Sequence, residues 1–532
     1  NEKVVTVGMR GDGDEPMTQK TAISLLENIV ADQRKIIATS TKKPANQTPQ
    51  MWALYKEVQD YYDKGMQVPE DITLLFCDDN WGNVRRLPSK GHKRSGGYGM
   101  YYHFDYVGGP RNYKWLNTNY LPRIWDQMTM CYQNGIDKIW IVNVGDVKPM
   151  ELPITFFLDL AWNPEKINYD DVQSYFTQWS EKQFGPEIAK EIGALLQKSS
   201  HLISLRKPEI LNSVTFSLDG NNEFENIVTS FKTLTEKSSV LMQNLDRDFY
   251  AAYFQLVHHP LEAISNLYQM YYSQALNHRH YYAKSPLTNF FAGEVKKYYQ
   301  NDSLITQKYH QLNDGKWNHM MSQTHIGYTY WQQPIKNVMP HTYRLWLWEM
   351  GDTLKLASNQ GTKVDEIVVD ISRFQQEKKQ TAITWKMFEN YGRYGFGLTT
   401  WPMNHNSFAD TNDAPAVNVD FDNLSEFNEG YLHLFHSPTL DVFNTGGLKI
   451  AVSVNGSESE IISLNEKGAD HPEWEKWVAD NIIHTKIKTG NMRKGKNTIV
   501  IHHLDPAIIL QRILISADVK MNSYLGPFNF IY

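Results

Sequence analysis

The first third of the chain alternates short apolar runs with amphipathic stretches, and a polar cluster follows each run at once. The runs are 4–9 (VVTVGM), Ile72–Cys77 (ITLLFC), Met100–Phe104 (MYYHF) and Lys138–Val144 (KIWIVNV). They lack the strict apolar–polar alternation of a half-exposed strand and read as strands buried on both faces. Between them, residues 19–37 place Ile23, Leu26, Ile29, Val30 and Ile37 near one helical face. Residues 119–134 do the same with Leu121, Ile124, Trp125, Met128 and Cys131. Strand–helix alternation of this kind predicts a parallel sheet. Residues 154–161 (ITFFLDLA) are apolar and fit either a strand or a helix. Buried parallel strands need neighbours on both sides, so a chain that opens on VVTVGM is expected to begin inside a domain, with an N-terminal portion missing.

The polar clusters are Arg10-Gly11-Asp12-Gly13-Asp14-Glu15, Asp78-Asp79-Asn80-Trp81-Gly82-Asn83, Asp105-Tyr106 and Asn143–Asp146. In a (β/α)8 barrel the active site is built at these C-terminal strand ends. A doubly wound sheet also binds ligands there, but no Gly-x-Gly-x-x-Gly phosphate turn follows any of the runs, which favours the barrel.

A chain of 532 residues is too long for one core and implies three or so domains. From about 166 to 355 strand signals vanish and helical periodicity dominates, as in Glu187–Ile203, Glu223–Leu245 and Asp248–Tyr272. Short connections predict an antiparallel helical bundle. From 356 to 532 short β runs return: Glu366–Ile371, Tyr431–Phe435, Leu448–Val454, Asn497–His502 and Ile508–Ile515, with Asn455-Gly456 and Gly446-Gly447 as turn signals. An antiparallel β-sandwich fits. The expected domains are therefore 1–165, 166–355 and 356–532. One segment, 325–334 (HIGYTYWQQP), breaks the bundle pattern and reads either as an exposed aromatic loop or as aromatics packed beneath one.

A net charge of −6 with both signs interspersed argues against a nucleic-acid surface. No apolar run is long enough to span a bilayer. The two cysteines, Cys77 and Cys131, are too few for a disulfide framework or a zinc site, and both read as buried thiols. Neither a metal nor a cofactor is expected. The 15 Trp and 30 Tyr suit large cores, or stacking on the apolar faces of sugars.

Carboxylates gathered at strand ends suit acid–base chemistry, cation binding or helix capping. Glu57 falls in a predicted helix, Met51–Asp63, flanked by Trp52, Tyr55, Val58 and Tyr61. Apolar surroundings would raise its pKa, as a general acid requires, whereas periodicity alone reads it as a residue on the helix surface. Arg10 stands among acids, where its guanidinium would grip a substrate carboxylate at two points or neutralise Asp12 and Asp14. From the residues alone, this is a barrel enzyme acting on a polar, acidic ligand.

The stretches GMRGDGDEPM (8–17), LYKEVQDYYDKG (54–65), LLFCDDNWGNVRRLP (74–88), GGYGMYYHFDYVGGPRNYKWLNT (96–118), IWIVNVGDVKPMELP (139–153) and THIGYTYWQQP (324–334) resemble glycoside hydrolase family 115, the xylan α-1,2-glucuronidases. The resemblance implies inverting release of α-1,2-linked glucuronic acid, or its 4-O-methyl form, from glucuronoxylan and aldouronic acid oligosaccharides. It implies a barrel, a bundle and a sandwich, with the barrel truncated at its start, and a secreted or periplasmic homodimer. Carried over by position, Glu57 is the general acid and Asp14 an essential carboxylate, either base or substrate clamp. Arg10 pairs with the uronate or positions Asp14. Asp78, Asn80, His103, Tyr106 and Asn143 bind sugar hydroxyls. The 325–334 loop is expected to reach a neighbouring active site within the dimer. The competing readings are another carboxylate-dependent barrel glycosidase, a non-catalytic carbohydrate-binding protein and a metal-dependent hydrolase.

Overall fold

The computed structural model describes residues 3–11, 16, 22–351, 366–376, 382–423, 430–466, 471–489, 492–517, 521 and 523–526. Its first unit is a five-stranded sheet of β1 (Val5–Thr6), β2 (Gln50–Ala53), β3 (Ile72–Cys77), β4 (Tyr98–His103) and β5 (Ile139–Asn143), joined in that order. Every pairing is parallel. Consecutive strands as neighbours is the winding of a barrel wall, whereas a doubly wound sheet reverses its order at a switch point. The described strands form a half-barrel of this kind. Strand β3 is buried at all six positions, in keeping with its unbroken apolar run. All five C-terminal strand ends lie along one edge, because parallel strands in register leave them nowhere else.

Helices α1 (Ile23–Thr41), α2 (Glu57–Asp63) and α3 (Leu121–Gln133) lie between the strands, and α4 (Glu151–Trp162) follows β5. The ambiguous run 154–161 is thus helical. It is apolar on several faces because Phe156, Phe157 and Leu160 are all buried in the main core. The predicted helix Met51–Asp63 is corrected more deeply. Its first three residues belong to β2, paired on both sides, with Trp52 buried, and the helix starts only at Glu57.

Helices α5 (Tyr169–Phe184), α6 (Ala189–Leu205), α7 (Glu223–Gln243), α8 (Arg247–Tyr253), α9 (His259–Tyr282) and α10 (Leu287–His310) form the helical part. A π-helical turn at Phe254–His258 joins α8 to α9, where the periodicity predicts one continuous helix. One hydrophobic cluster runs unbroken from Val7 through these helices, so half-barrel and bundle share a core.

The C-terminal strands make two antiparallel sheets. They are β6 (Glu366–Val369), β7 (Gln375–Gln376), β8 (Thr384–Tyr391), β9 (Gly395–Trp401), β10 (Ala416–Asn423), β11 (Gly430–His436), β12 (Lys449–Val454), β13 (Glu460–Ser463), β14 (Ile483–Thr489), β15 (Gly495–His503) and β16 (Ile509–Ser516). One sheet has the order β13-β12-β15-β10-β7, the other β14-β11-β16-β9-β8 with β6 also on β16. Asn455 and Gly456 both take positive φ and turn β12 into β13, as a tight hairpin requires. Gly446-Gly447 instead caps a crossover between the sheets, where both amides donate to the Asp441 carboxylate. Aromatic stacking joins this unit to the first two. Trp401 lies 5.9 Å from Trp125 of α3, and Phe388 lies 4.3 Å from Tyr169 of α5.

The register of the half-barrel leaves Gly99 without room for a side chain. A Cβ on Gly99, in β4, would meet Leu75 Cδ2 at 2.3 Å and the Ile139 carbonyl oxygen at 2.4 Å. Gly99→Ala is expected to lower stability by about 1–3 kcal/mol through overpacking. A denaturant titration checks this, and an unchanged midpoint and slope would show that the strands spread freely.

Candidate active site

The strand-end edge carries the chemistry. Arg10 stands four residues past β1 and Glu57 four residues past β2, so adjacent strands bring them together. The guanidinium meets the carboxylate at two points, Nε to Oε1 at 3.0 Å and Nη2 to Oε2 at 2.8 Å. Both side chains are mostly shielded from solvent. Glu57 therefore sits against a fixed cation rather than in the apolar pocket expected for it. Its backbone is held by an unusual approach. Lys56, immediately before it, takes φ 47°, a region that non-glycine residues rarely occupy, and ends the extended segment abruptly. Arg85 and Arg86, from the segment after β3, reach Asp60 at 3.6 Å and Asp63 at 2.7 Å and pin α2 to the sheet edge.

Tyr55 lies between these groups and the next strand. Arg10 sits 5.0 Å over its ring, and His103 stacks on it at 5.8 Å. His103 ends β4, where its Nδ1 is 2.6 Å from Asp78 Oδ1, and Asp78 Oδ2 accepts from the Gly82 amide at 3.0 Å. The Asp78–His103 pair is fully buried. Asn143 ends β5 beside His103, donates to Tyr101 at 3.4 Å and accepts from the Gly145 amide at 3.1 Å. Asn80 takes φ 66°, which its short polar side chain tolerates, and its backbone carbonyl accepts from the Tyr113 hydroxyl. Its side-chain Oδ1 is buried with no partner among the described residues. Tyr106 is buried and bridged to Tyr113, with the Lys56 ammonium 5.7 Å from its ring centre.

The structure thus gathers Arg10, Glu57, Asp78, Asn80, His103, Tyr106 and Asn143 along one edge. Asp14, with Asp12 and Glu15, lies outside the described residues. Three further residues belong to this edge. Tyr55 bridges the Arg10 and His103 groups. Asp79 is buried, and that burial, with Asp78 beside it, pushes its pKa up to about 6 against the pull of its hydrogen bonds. Lys207, just after α6, places its ammonium 4.0 Å over the Tyr113 ring and donates to Thr118. Burial pushes that ammonium down. Tyr55 flanks Glu57 and Asp79 belongs to the acidic cluster after β3, so both lie within reach of a sequence pattern, whereas nothing in the sequence marks Lys207.

The 325–334 segment combines both of its readings. His325 and Ile326 are buried, whereas Tyr330 and Trp331 are 53% and 41% exposed. His325 stacks face to face on Trp115 at 3.5 Å and bonds to Asp302 at 2.9 Å. The Trp331 carbonyl accepts from the Asn112 amide at 2.8 Å. Asn112 belongs to the same 104–113 loop as Tyr106, so this segment rests beside the strand-end edge of its own chain.

Among the described residues no group of three or more His, Cys, Asp or Glu is placed to hold a metal ion. Both cysteines are buried free thiols. No helix among the described residues is long and apolar enough to cross a membrane.

Comparison with known proteins follows the same lines. Residues 1–210 match the model of glycosyl hydrolase family 115, and residues 364–529 match that of the glycosyl hydrolase family 115 C-terminal domain. No curated protein matches the chain. Among solved structures, a family GH115 4-O-methyl-α-glucuronidase, BtGH115A, with specificity for decorated arabinogalactans, superposes with a TM-score of 0.77 at 26% identity. The match covers 96% of this chain and 64% of that one, so this chain spans just under two thirds of that protein's length. A family 35 carbohydrate-binding module from Clostridium thermocellum covers 28% of this chain and 96% of its own at 12% identity and a TM-score of 0.20, too slight a likeness to build on. With both of the family's models matched in order and a similar fold over nearly its whole length, the chain belongs to glycosyl hydrolase family 115.

Proposed function

We propose that this chain is an α-glucuronidase that releases α-1,2-linked glucuronic acid, or its 4-O-methyl form, from glucuronoxylan with inversion. The observation that carries the reading is the two-point Arg10–Glu57 contact at the strand-end edge. A guanidinium that already holds one carboxylate in fork geometry is fitted to hold another. The uronate of an arriving substrate competes with Glu57 for Arg10. Glu57, released from Arg10, delivers a proton to the glycosidic oxygen. The bond to the xylose breaks as a water, activated by Asp14, attacks the opposite face of the uronic acid ring. Inversion needs roughly 6.5–9.5 Å between the two carboxyl groups to admit that water. Asn80, Tyr106 and Asn143 take the sugar hydroxyls, whereas the buried Asp78–His103 pair, whose Asp78 oxygens are already engaged, stands behind them and does not make the direct sugar contact expected of it. In this reading the half-barrel belongs to a complete (β/α)8 barrel, followed by a bundle over 166–355 and a sandwich over 356–532.

A second reading keeps the chemistry and changes the polymer. BtGH115A is specific for decorated arabinogalactans, which favours that class of substrate here. Incubation with glucuronoxylan and with a glucuronate-decorated arabinogalactan, following free uronic acid, separates the two. Release from neither would end both readings. Proton NMR of the first product anomer reports inversion or retention.

Glu57→Gln is expected to cost ~10²–10⁴-fold in kcat. A non-catalytic sugar-binding protein would have no such rate to lose. Arg10→Ala is expected to impair a uronate substrate far more than the matching neutral glycoside, and equal losses would point to a different barrel glycosidase. Trp331→Ala, on the exposed part of the 325–334 segment, is expected to weaken turnover of polymer more than that of a short aldouronic acid, measured as kcat/KM on each. Equal losses would remove that segment from polymer recognition.

A further inference from the structure

The geometry points to Trp474, in the C-terminal unit, as a positioning residue that sets the shape of the 78–83 turn and through it the Asp78–His103 pair. The inference rests on the α-glucuronidase reading. Asp79 receives four donors. The Trp81 amide at 2.9 Å and the Asn83 amide at 3.0 Å bind Oδ1. The Asn83 side chain binds Oδ2 at 2.8 Å. These three close the turn locally. The fourth, Trp474 Nε1 at 2.8 Å on Oδ2, crosses 395 positions of sequence.

Trp474 lies on the helix Pro472–Asp480 and is buried with Leu440 and Val478 against Trp81, a residue of the turn itself. The C-terminal unit grips the same turn a second time. The Tyr391 hydroxyl, at the end of β8, bonds to Asp126, which pairs with Arg123 at 2.9 Å, and Arg123 in turn donates to Asn83 Oδ1. Between these grips lies a cavity of about 60 Å³, lined among others by Trp81, Gly82, Asn83, His103, Arg123 and Lys207. The turn therefore has space into which it can settle. A buried carboxylate oxygen deprived of a donor is costly, so removal of the indole N–H drives a rearrangement. Asp78 is the next residue in the chain, and its two oxygens hold His103 and the Gly82 amide, so any shift of the turn reaches the strand-end edge.

Trp474→Phe keeps the ring bulk and removes the donor. On the substrate the wild type hydrolyses, kcat is expected to fall about tenfold or more, on the scale of one lost hydrogen bond to a charged group, with KM changed less than threefold. Hydrogen–deuterium exchange is expected to rise in the 78–86 peptide and to stay unchanged elsewhere. Unchanged kcat with unchanged exchange would overturn the assignment. So would a general rise in exchange with kcat and KM altered together, the mark of a residue that only stabilises the fold. Should the wild type release no uronic acid, the functional reading fails and the exchange pattern alone decides the positioning claim. Should Trp474→Phe not fold, Tyr391→Phe loosens the other grip, and a silent 78–86 peptide there would count equally against it.

Discussion

The Arg10–Glu57 contact ties together the ends of two neighbouring parallel strands, and the layout of the edge depends on it. Solvent-exposed ion pairs contribute little to stability. This one is largely shielded and bidentate, so it also fixes orientation. It holds the first residue of α2, whose acidic side chains Asp60 and Asp63 are held in turn by Arg85 and Arg86. Strand β1, strand β2 and the segment after β3 are thereby locked edge to edge by side chains as well as by the backbone ladder. The same contact bears on the proposed chemistry, because the carboxylate of a uronic acid would offer the Arg10 fork a second partner of the kind it already holds.

How much of this was legible follows from where each signal is local. Strand β3 was readable at both ends because ITLLFC is buried on both faces and is bounded by polar residues. Strand β2 was not. Its four residues run without a break into LYKEVQDYYD, whose helical period swamps a strand that short. That one error put Glu57 in mid-helix, although in the structure it follows a strand end as Arg10 and Asp78 do. Strand β10 is faint in the sequence because its outward positions are Asn and Asp, residues poor in strand propensity, although its buried positions Val417, Val419 and Phe421 alternate cleanly. The continuous helix read through 254–258 failed because a π-turn keeps apolar residues inside and leaves the pattern intact. The placement of Arg10, Asp78 and His103 at strand ends follows from the sequence pattern, and their partners do not. Nothing in the neighbourhood of Asp79 in sequence announces Trp474.

Burial of two adjacent carboxylates, Asp78 and Asp79, behind a sheet edge is expensive unless every oxygen is met. Burial and the neighbouring Asp78 push the pKa of Asp79 up, whereas the donors from Asn83, Trp474 and Trp81 pull it down. The local turn supplies only part of that compensation. The rest comes from the C-terminal unit, which is why its helix Pro472–Asp480 is wedged between half-barrel and bundle. Arg206, just after α6, bonds to Asp480 at 2.9 Å, and Asn481 donates to the Ser204 carbonyl at 3.0 Å, so the wedge is fixed from the bundle side too.

Three kinds of structure thus converge on one edge with different duties. Parallel strands deliver Arg10, Glu57, Asp78, His103 and Asn143, because that topology leaves successive strand ends side by side. The antiparallel sheets cannot contribute strand ends to the edge, and they act through what they pack against it, Trp474 and Tyr391. The bundle contributes Lys207 from one side and the 325–334 segment from the other, the latter anchored by the buried Asp302–His325–Trp115 stack. An anchor so firmly buried at one end, with Tyr330 and Trp331 open at the other, holds an aromatic surface rigidly beside the edge. Under the proposed function such a surface would stack on sugar units that flank the scissile bond, and selection among polymers would then be separable from the chemistry on the uronic acid, since the two are built on different elements.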